Sequence, residues 1–186
     1  MADGEIYLKN QSTLKQSSYD SANNEYMVED ETIPVYNYDG VISEYASRTK
    51  MQRMPCSNDA LYIDQNHIIF IEFKNGTVRE EQLMRKAYDS LLVLFDHDMG
   101  LGWCRSDFCG DISFSRENIE FILVWENPDK NQGTAPRISI GDHVRKKGKF
   151  GLNSLKGYLY KDTRVMSKIE FQQEFIDLVK SCKEAG

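Results

Sequence analysis

Residues 59–76 read Asp-Ala-Leu-Tyr-Ile-Asp-Gln-Asn-His-Ile-Ile-Phe-Ile-Glu-Phe-Lys-Asn-Gly: two apolar, β-branched and aromatic stretches, 60–63 and 67–73, parted by the polar pair Gln65-Asn66. Stretches of that composition form strands, and a two-residue polar break between them suits a tight turn, so the segment predicts a β-hairpin. The turn fixes the register. With Gln65-Asn66 as the loop, Asp64 faces His67, Ile63 faces Ile68, Leu61 faces Phe70 and Asp59 faces Glu72, the two members of each pair projecting to the same side. Lys74 lies two residues beyond Glu72 and shares that side.

Two carboxylates opposite each other across a strand pair repel, so a chain that puts them at the end of an apolar hairpin needs a compensating charge. A divalent cation supplies one. Mg²⁺ takes oxygen ligands, keeps several waters and requires only one or two protein carboxylates. Beside such an ion, Lys74 would orient a metal-bound water or offset charge growing on a phosphate. Asp59, Glu72 and Lys74 are thus the candidate catalytic residues. Asp59 and Glu72 are the candidate metal ligands, with Mg²⁺ the expected ion, Mn²⁺ its substitute and phosphodiester hydrolysis the chemistry. The plainer alternative is a solvated edge on which Lys74 pairs with Glu72.

The pattern Asn58-Asp59, twelve residues, then Glu72-Phe73-Lys74 closing an apolar strand resembles the signature of the PD-(D/E)XK nuclease superfamily, over residues 44–127. The resemblance implies an α/β fold with a restriction-endonuclease-like αβββαβ core, its central mixed sheet flanked by helices. It also implies that Asp59 and Glu72 hold one or two Mg²⁺ ions and that Lys74 positions the attacking water. Glu44 then stands where the superfamily carries a further acid on its first core helix, as a third catalytic and metal-binding carboxylate. An i,i+4 pair with Arg48 is the competing account of Glu44. Gln82 and Lys86 match the polar or basic positions that contact metal-bound water or a phosphate from the helix after the hairpin; a solvated helix face is their alternative. One departure is plain, since Asn58 replaces the proline of the family name. The superfamily also contains members without cleavage activity, so the resemblance speaks to fold more than to activity.

A formal charge of −6 argues against a nucleic-acid partner, whose phosphates demand Lys and Arg. The distribution answers that objection. Residues 134–168 hold nine basic residues against two acidic ones, a net +7 that leaves −13 on the rest of a chain totalling −6. Arg145, Lys146, Lys147 and Lys149 in this basic segment are the candidate phosphate contacts, the alternative being a solvated loop that balances an acidic body. Nucleic acid is therefore the expected substrate, with DNA preferred over RNA.

The 186 residues suit a single nuclease-like domain. Residues 1–31 lack periodicity and are expected to be irregular or weakly helical. Residues 32–38 suit a short strand, and Asp39-Gly40 an N-cap for a helix over 41–51. Residues 48–56 are too polar for a buried strand, which leaves the first core strand unassigned. Residues 78–96 carry Leu83, Met84, Ala87, Tyr88, Leu91, Leu92, Leu94 and Phe95 at helical spacing, an apolar stripe expected to pack on the sheet, with Gln82, Lys86 and Asp89 on the other face. Residues 119–125 read as a central strand covered on both faces. Ser167 and Glu170 form a capping box opening a terminal helix over 168–184. The long polar stretch 96–118 suits a lid or clamp. Cys104, Cys109 and His97 within it lack a fourth zinc ligand, and His67 and His143 lack the neighbours of a general base.

No leader or bilayer-length apolar run is visible, the longest being 91–95, and the four cysteines form no disulfide framework, so a cytoplasmic protein without membrane contact is expected. No Walker loop, dinucleotide fingerprint or nucleophile elbow occurs. A Mg²⁺-dependent nuclease is the leading expectation. The alternative is a catalytically silent nuclease-like fold acting as a protein-binding module, such as an immunity or anti-toxin protein, whose acidic surface occupies a basic partner.

Overall fold

The computed structural model describes residues 4–64, 67–96, 113–126 and 149–184. In chain order the strands are β1 (Gln11–Thr13), β2 (Tyr19–Asp20), β3 (Glu25–Tyr26), β4 (Pro34–Asn37), β5 (Ala60–Ile63), β6 (Ile68–Asn75), β7 (Ile119–Glu126) and β8 (Asp162–Met166). The helices are α1 (Glu5–Lys9), α2 (Leu14–Ser17), α3 (Tyr38–Arg48), α4 (Glu80–Leu94), α5 (Ser113–Asn118) and a terminal helix running from Lys168–Phe171 through a π turn at Gln172–Ile176 into Asp177–Glu184. Among the described residues the fold is α/β, a mixed six-stranded sheet in the order β1-β4-β5-β6-β7-β8 flanked by helices. The pairs from β1 to β6 are antiparallel, and β6–β7 and β7–β8 are parallel.

The hairpin register is the one the sequence dictates: Ile63 pairs with Ile68, Leu61 with Phe70, and the Asp64 N–H donates to the His67 carbonyl at 3.0 Å. Six successive residues of β6 are buried, as expected of a central strand covered on both faces. Alternation then sorts its side chains. Ile68 and Phe70 join the core beneath α3 and α4, with Phe121, Leu123 and Trp125 of β7. Ile69, Ile71 and Phe73 join the core beneath the terminal helix, with Ile122, Val124, Phe171, Phe175 and Ile176. Glu72 and Lys74 fall by parity on the α4 side.

α4 packs through Leu83, Ala87, Leu91 and Leu94, while Tyr88 and Leu92 of the expected stripe are exposed because they lie off the narrower face that meets the sheet. Two buried tyrosines lock the helix from below, the Tyr38 hydroxyl donating to the Ser90 carbonyl at 2.9 Å and the Tyr160 hydroxyl to the Ala87 carbonyl at 2.6 Å. The terminal helix starts at the capping box, with Ser167 Oγ accepting from the Glu170 N–H and the Ser167 N–H donating to Glu170 Oε2.

Three local expectations change. α3 begins three residues early because Asn37, not Asp39, accepts the capping bond from the Gly40 N–H at 3.2 Å. The N-terminal segment, expected to be irregular or weakly helical, carries α1, α2, the short β2–β3 pair and β1, which joins the sheet beside β4, held by burial of Ile6, Tyr7, Leu14, Met27 and Val28 that no periodicity announces. Residues 49–59 form no strand. The strand beside β5 is β4, which precedes α3, so the order around the hairpin is β-α-β-β-α-β.

Candidate functional site

Asp59 is delivered by a segment without secondary structure that side chains pin in place. Asp89 Oδ2 accepts from the Cys56 N–H at 2.8 Å, Ser90 Oγ accepts from the Asn58 N–H at 3.0 Å, and Ser57 Oγ donates to Asp39 of α3. These bonds take the place of a sheet ladder for the residues leading into β5, where backbone groups must still be satisfied. Asp59 Oδ2 then accepts from the Phe73 N–H at 2.6 Å, tying the carboxylate to the end of β6.

Glu72, on β6, is 3 % exposed and has Leu123 as its partner in β7. Above it lies Lys86 of α4. The ammonium donates to both carboxylate oxygens of Glu72, at 2.7 and 2.8 Å, and reaches Asp59 Oδ1 at 3.5 Å. Contact with one ammonium means that the two carboxylates share a side of the sheet. Lys86 and Ser90, one turn apart on α4, border its apolar stripe and meet the chain around Asn58, Asp59 and Glu72, so Lys86 is not on a solvated face, whereas Gln82, one turn earlier, is exposed.

The electrostatics follow from two acids and one base in a nearly dry place. Burial pushes the Asp59 carboxyl up to about 6, against the pull of Lys86 and the Phe73 amide. Burial, followed by the charge of Asp59, raises Glu72 well above the ordinary carboxylate range. Burial works to discharge Lys86, but the charges of Asp59 and Glu72 outweigh it and the ammonium holds its proton more tightly than a free lysine. Asp39 adds a further negative charge felt by both Asp59 and Lys86. The two carboxyls titrate as a pair, with a greater affinity for a proton than a free carboxylate has.

Lys74, Arg79 and Gln82 surround a small opening over Glu72 and Lys86, about 10 Å³, room for one water. Among the described residues neither Lys74 nor Arg79 forms an ion pair. Larger cavities, about 690 Å³ along β8 and about 400 Å³ beside β1 and β4, lie away from the acid pair.

The structure therefore brings Asp59, Glu72 and Lys86 together and sets Lys74 and Gln82 at their mouth. Glu44 stands apart: its carboxylate bonds the Arg48 guanidinium one turn along α3 and lies 3.6 Å from Lys9, the arrangement that helical i,i+4 spacing favours. Arg145, Lys146 and Lys147, with Cys104, Cys109, His97 and His143, lie outside the described residues, and Lys149 enters only as the first backbone position of a short helical turn. In the described part of the basic segment, Lys156 pairs with Asp162 at 2.7 Å, Arg164 with Glu120 at 2.8 Å and Lys168 with Glu25 at 3.5 Å, so much of that charge is met within the chain. Sequence reasoning missed Asp39, Ser57, Asp89 and Ser90 as supports of the acid pair. The one signal for them is Ser90, a hydroxyl set in the apolar stripe of α4.

Asp59 and Glu72 offer the oxygen donors that a hard divalent ion takes, and one ammonium does not balance their two charges, so the donor set fits such an ion. Among the described residues no group of three carboxylate, histidine or cysteine ligands forms, which restricts that fit to two carboxylates plus solvent. No helix among them is long and apolar enough to cross a membrane. Searches against known protein families, curated proteins and solved structures find no match for this chain.

Proposed function

We propose that this chain is a metal-dependent nuclease of the PD-(D/E)XK kind, hydrolysing phosphodiester bonds of nucleic acid with Mg²⁺, or Mn²⁺ in its place. One observation carries the reading: the carboxylates of Asp59 and Glu72 converge on a single cationic position at the end of the hairpin. The restriction-endonuclease-like core is part of the proposal. β5, β6, α4 and β7 supply its last four elements in order, and the departure lies upstream, where β4 enters the sheet before α3.

A divalent ion held by Asp59 and Glu72 would activate a bound water and offset charge on the phosphate. The Phe73 amide fixes the Asp59 carboxylate, and β6 fixes Glu72 at an adjoining position. Lys74 and Arg79 at the opening present positive charge to a phosphodiester, and Gln82 adds a hydrogen-bonding group. Burial of Glu72 keeps bulk water away, which strengthens each of these interactions.

The test incubates purified protein with supercoiled plasmid and with single-stranded DNA and RNA, in Mg²⁺, in Mn²⁺ and in chelator. Cleavage that needs metal and disappears in Glu72→Ala and in Lys74→Ala supports the proposal; equal cleavage by wild type and both variants removes it.

A second reading, a silent nuclease-like fold that binds a protein partner, draws on one observation. Glu72 is already neutralised by Lys86 without any metal. Calorimetric titration of the folded protein with Mg²⁺ separates the two, since absence of binding favours the second.

A further inference from the structure

We infer that Lys86 is a built-in cation occupying the metal position, so that its ammonium and a divalent ion compete for the same oxygens of Glu72 and Asp59. The inference deepens the nuclease reading and rests on it for the identity of the competing ion. The contacts define the competition. Both Glu72 oxygens are engaged by Nζ, at 2.7 and 2.8 Å, and the Asp59 oxygen not held by the Phe73 amide lies 3.5 Å from the same atom. A Mg²⁺ ion needs carboxylate oxygens at about 2.1 Å with near-octahedral surroundings. An ammonium already seated between those oxygens fills that volume and carries the same sign of charge. One cation must leave before the other enters.

The side chain has somewhere to go. Lys86 shares the opening with Lys74, Arg79 and Gln82, and its flexible four-carbon stem lets the ammonium swing while α4 stays packed through Leu83 and Ala87. In the metal-free protein the ion pair keeps the buried Glu72 carboxylate and the half-buried Asp59 carboxylate from repelling each other. With a divalent ion in place, the freed ammonium joins the positive rim facing a phosphate. Lys86 would then set the threshold of metal concentration at which the site assembles, acting on affinity as a positioning residue.

The test is calorimetric titration of chelator-treated protein with MnCl₂ alone and with MgCl₂ alone, for wild type, Lys86→Gln, Lys86→Arg and Glu72→Gln, with melting temperatures measured in parallel. Lys86→Gln is expected to bind Mn²⁺ about tenfold more tightly than wild type and to gain more melting temperature from it. Lys86→Arg, which keeps the charge, is expected to bind no more tightly than wild type, and Glu72→Gln to lose binding. A Lys86 that serves only the fold would leave affinity unchanged or reduce it, so equal or weaker binding by Lys86→Gln overturns the inference and leaves the metal reading standing. Metal bound by no variant overturns both. Should Lys86→Gln not fold, ¹⁵N-lysine spectra of wild type decide: the Lys86 Nζ resonance, assigned by its loss in Lys86→Arg, should shift and exchange faster with water on saturation with Mg²⁺. An unchanged resonance at saturation overturns the inference.

Discussion

The Phe73 backbone N–H donates to Asp59 Oδ2 at 2.6 Å, at the position where the β5–β6 register would place the carbonyl of residue 58. A side chain thus continues the ladder where the backbone of β5 diverges, and one carboxylate both closes the hairpin and faces the ammonium of Lys86. Asp59→Asn separates those roles, because the amide oxygen can still accept from Phe73 while the charge is gone. The Asp59 carboxyl titrates at about 6 in the folded protein against 3.8 as its ordinary value, so the folded state holds the proton more tightly. Its contribution to stability is present in full below the ordinary value and is lost as pH rises through 6. In metal-free buffer, Asp59→Asn is therefore expected to melt above wild type at pH 7.5, by about 4 °C, with the difference shrinking toward pH 5. Melting curves at the two pH values check this, and an Asn variant that melts below wild type at pH 7.5 refutes it.

Lys86→Met addresses the same charges from the other side. Removing the ammonium leaves the buried Glu72 carboxylate, beside half-buried Asp59, with no counter-charge among its contacts, a change that typically costs about 3 kcal/mol or more. Urea unfolding at pH 7.5 should register that loss. Lowering the pH to 5 should restore part of it, since the pair then takes up a proton. A variant within about 0.5 kcal/mol of wild type at pH 7.5 would show that the ion pair contributes little net.

What the residues disclosed in advance and what they hid divide along the range of the forces involved. The side of the sheet shared by Asp59 and Glu72 follows from a period of two and a two-residue turn, both local, and the observed register repeats that arithmetic. The packed face of α4 through Leu83, Ala87, Leu91 and Leu94 follows from periodicity, though Tyr88 and Leu92 are exposed, and the burial of β7 follows from its near-continuous apolar run. The path of residues 49–59 could not be read, because it is fixed by bonds from Asp39, Asp89 and Ser90 that span 18 to 33 residues and leave no local pattern. Lys86 shows the same limit. Strand parity puts Lys74 beside Glu72, but which helical residue arches over the sheet depends on how α4 docks, and docking brings Lys86 to the carboxylates. Glu44 had two readings by spacing, and its partners are Arg48 and Lys9.

That separation makes Glu44→Gln a discriminating variant. An i,i+4 pair on a helix surface, half-buried here, contributes only about 0.3–0.5 kcal/mol, so the melting temperature should fall by no more than about 2 °C. Metal-dependent cleavage, where wild type shows it, should be unchanged. A loss of cleavage above tenfold with an intact fold would return Glu44 to the site.

Ser90→Ala tests the support of Asp59 without touching a charge. The hydroxyl accepts from the buried Asn58 N–H at 3.0 Å, and truncation leaves that donor without its partner, at a cost of about 1–3 kcal/mol. Chemical denaturation should show the loss with an unchanged slope. Ser90→Thr, which keeps an acceptor, should recover part of it; recovery by Ser90→Val instead would point to packing as the role of this position.

Lys74 and Arg79 carry the last prediction, which concerns nucleic acid directly. Both border the opening over Glu72, neither is buried, and neither forms an ion pair among the described residues, so the fold loses little when they are shortened. If they contact phosphates, each contributes through counterion release, and the dependence of affinity on salt becomes shallower as they are removed. Fluorescence anisotropy with a labelled duplex and a labelled single strand, in chelator so that cleavage cannot intervene, gives the slope of log affinity against log salt concentration. Lys74→Met and Arg79→Met are each expected to weaken binding and to reduce the slope by about 1, with melting temperature unchanged. Slopes equal to wild type in both variants would place phosphate contact elsewhere on the chain and detach the opening over Glu72 from substrate binding.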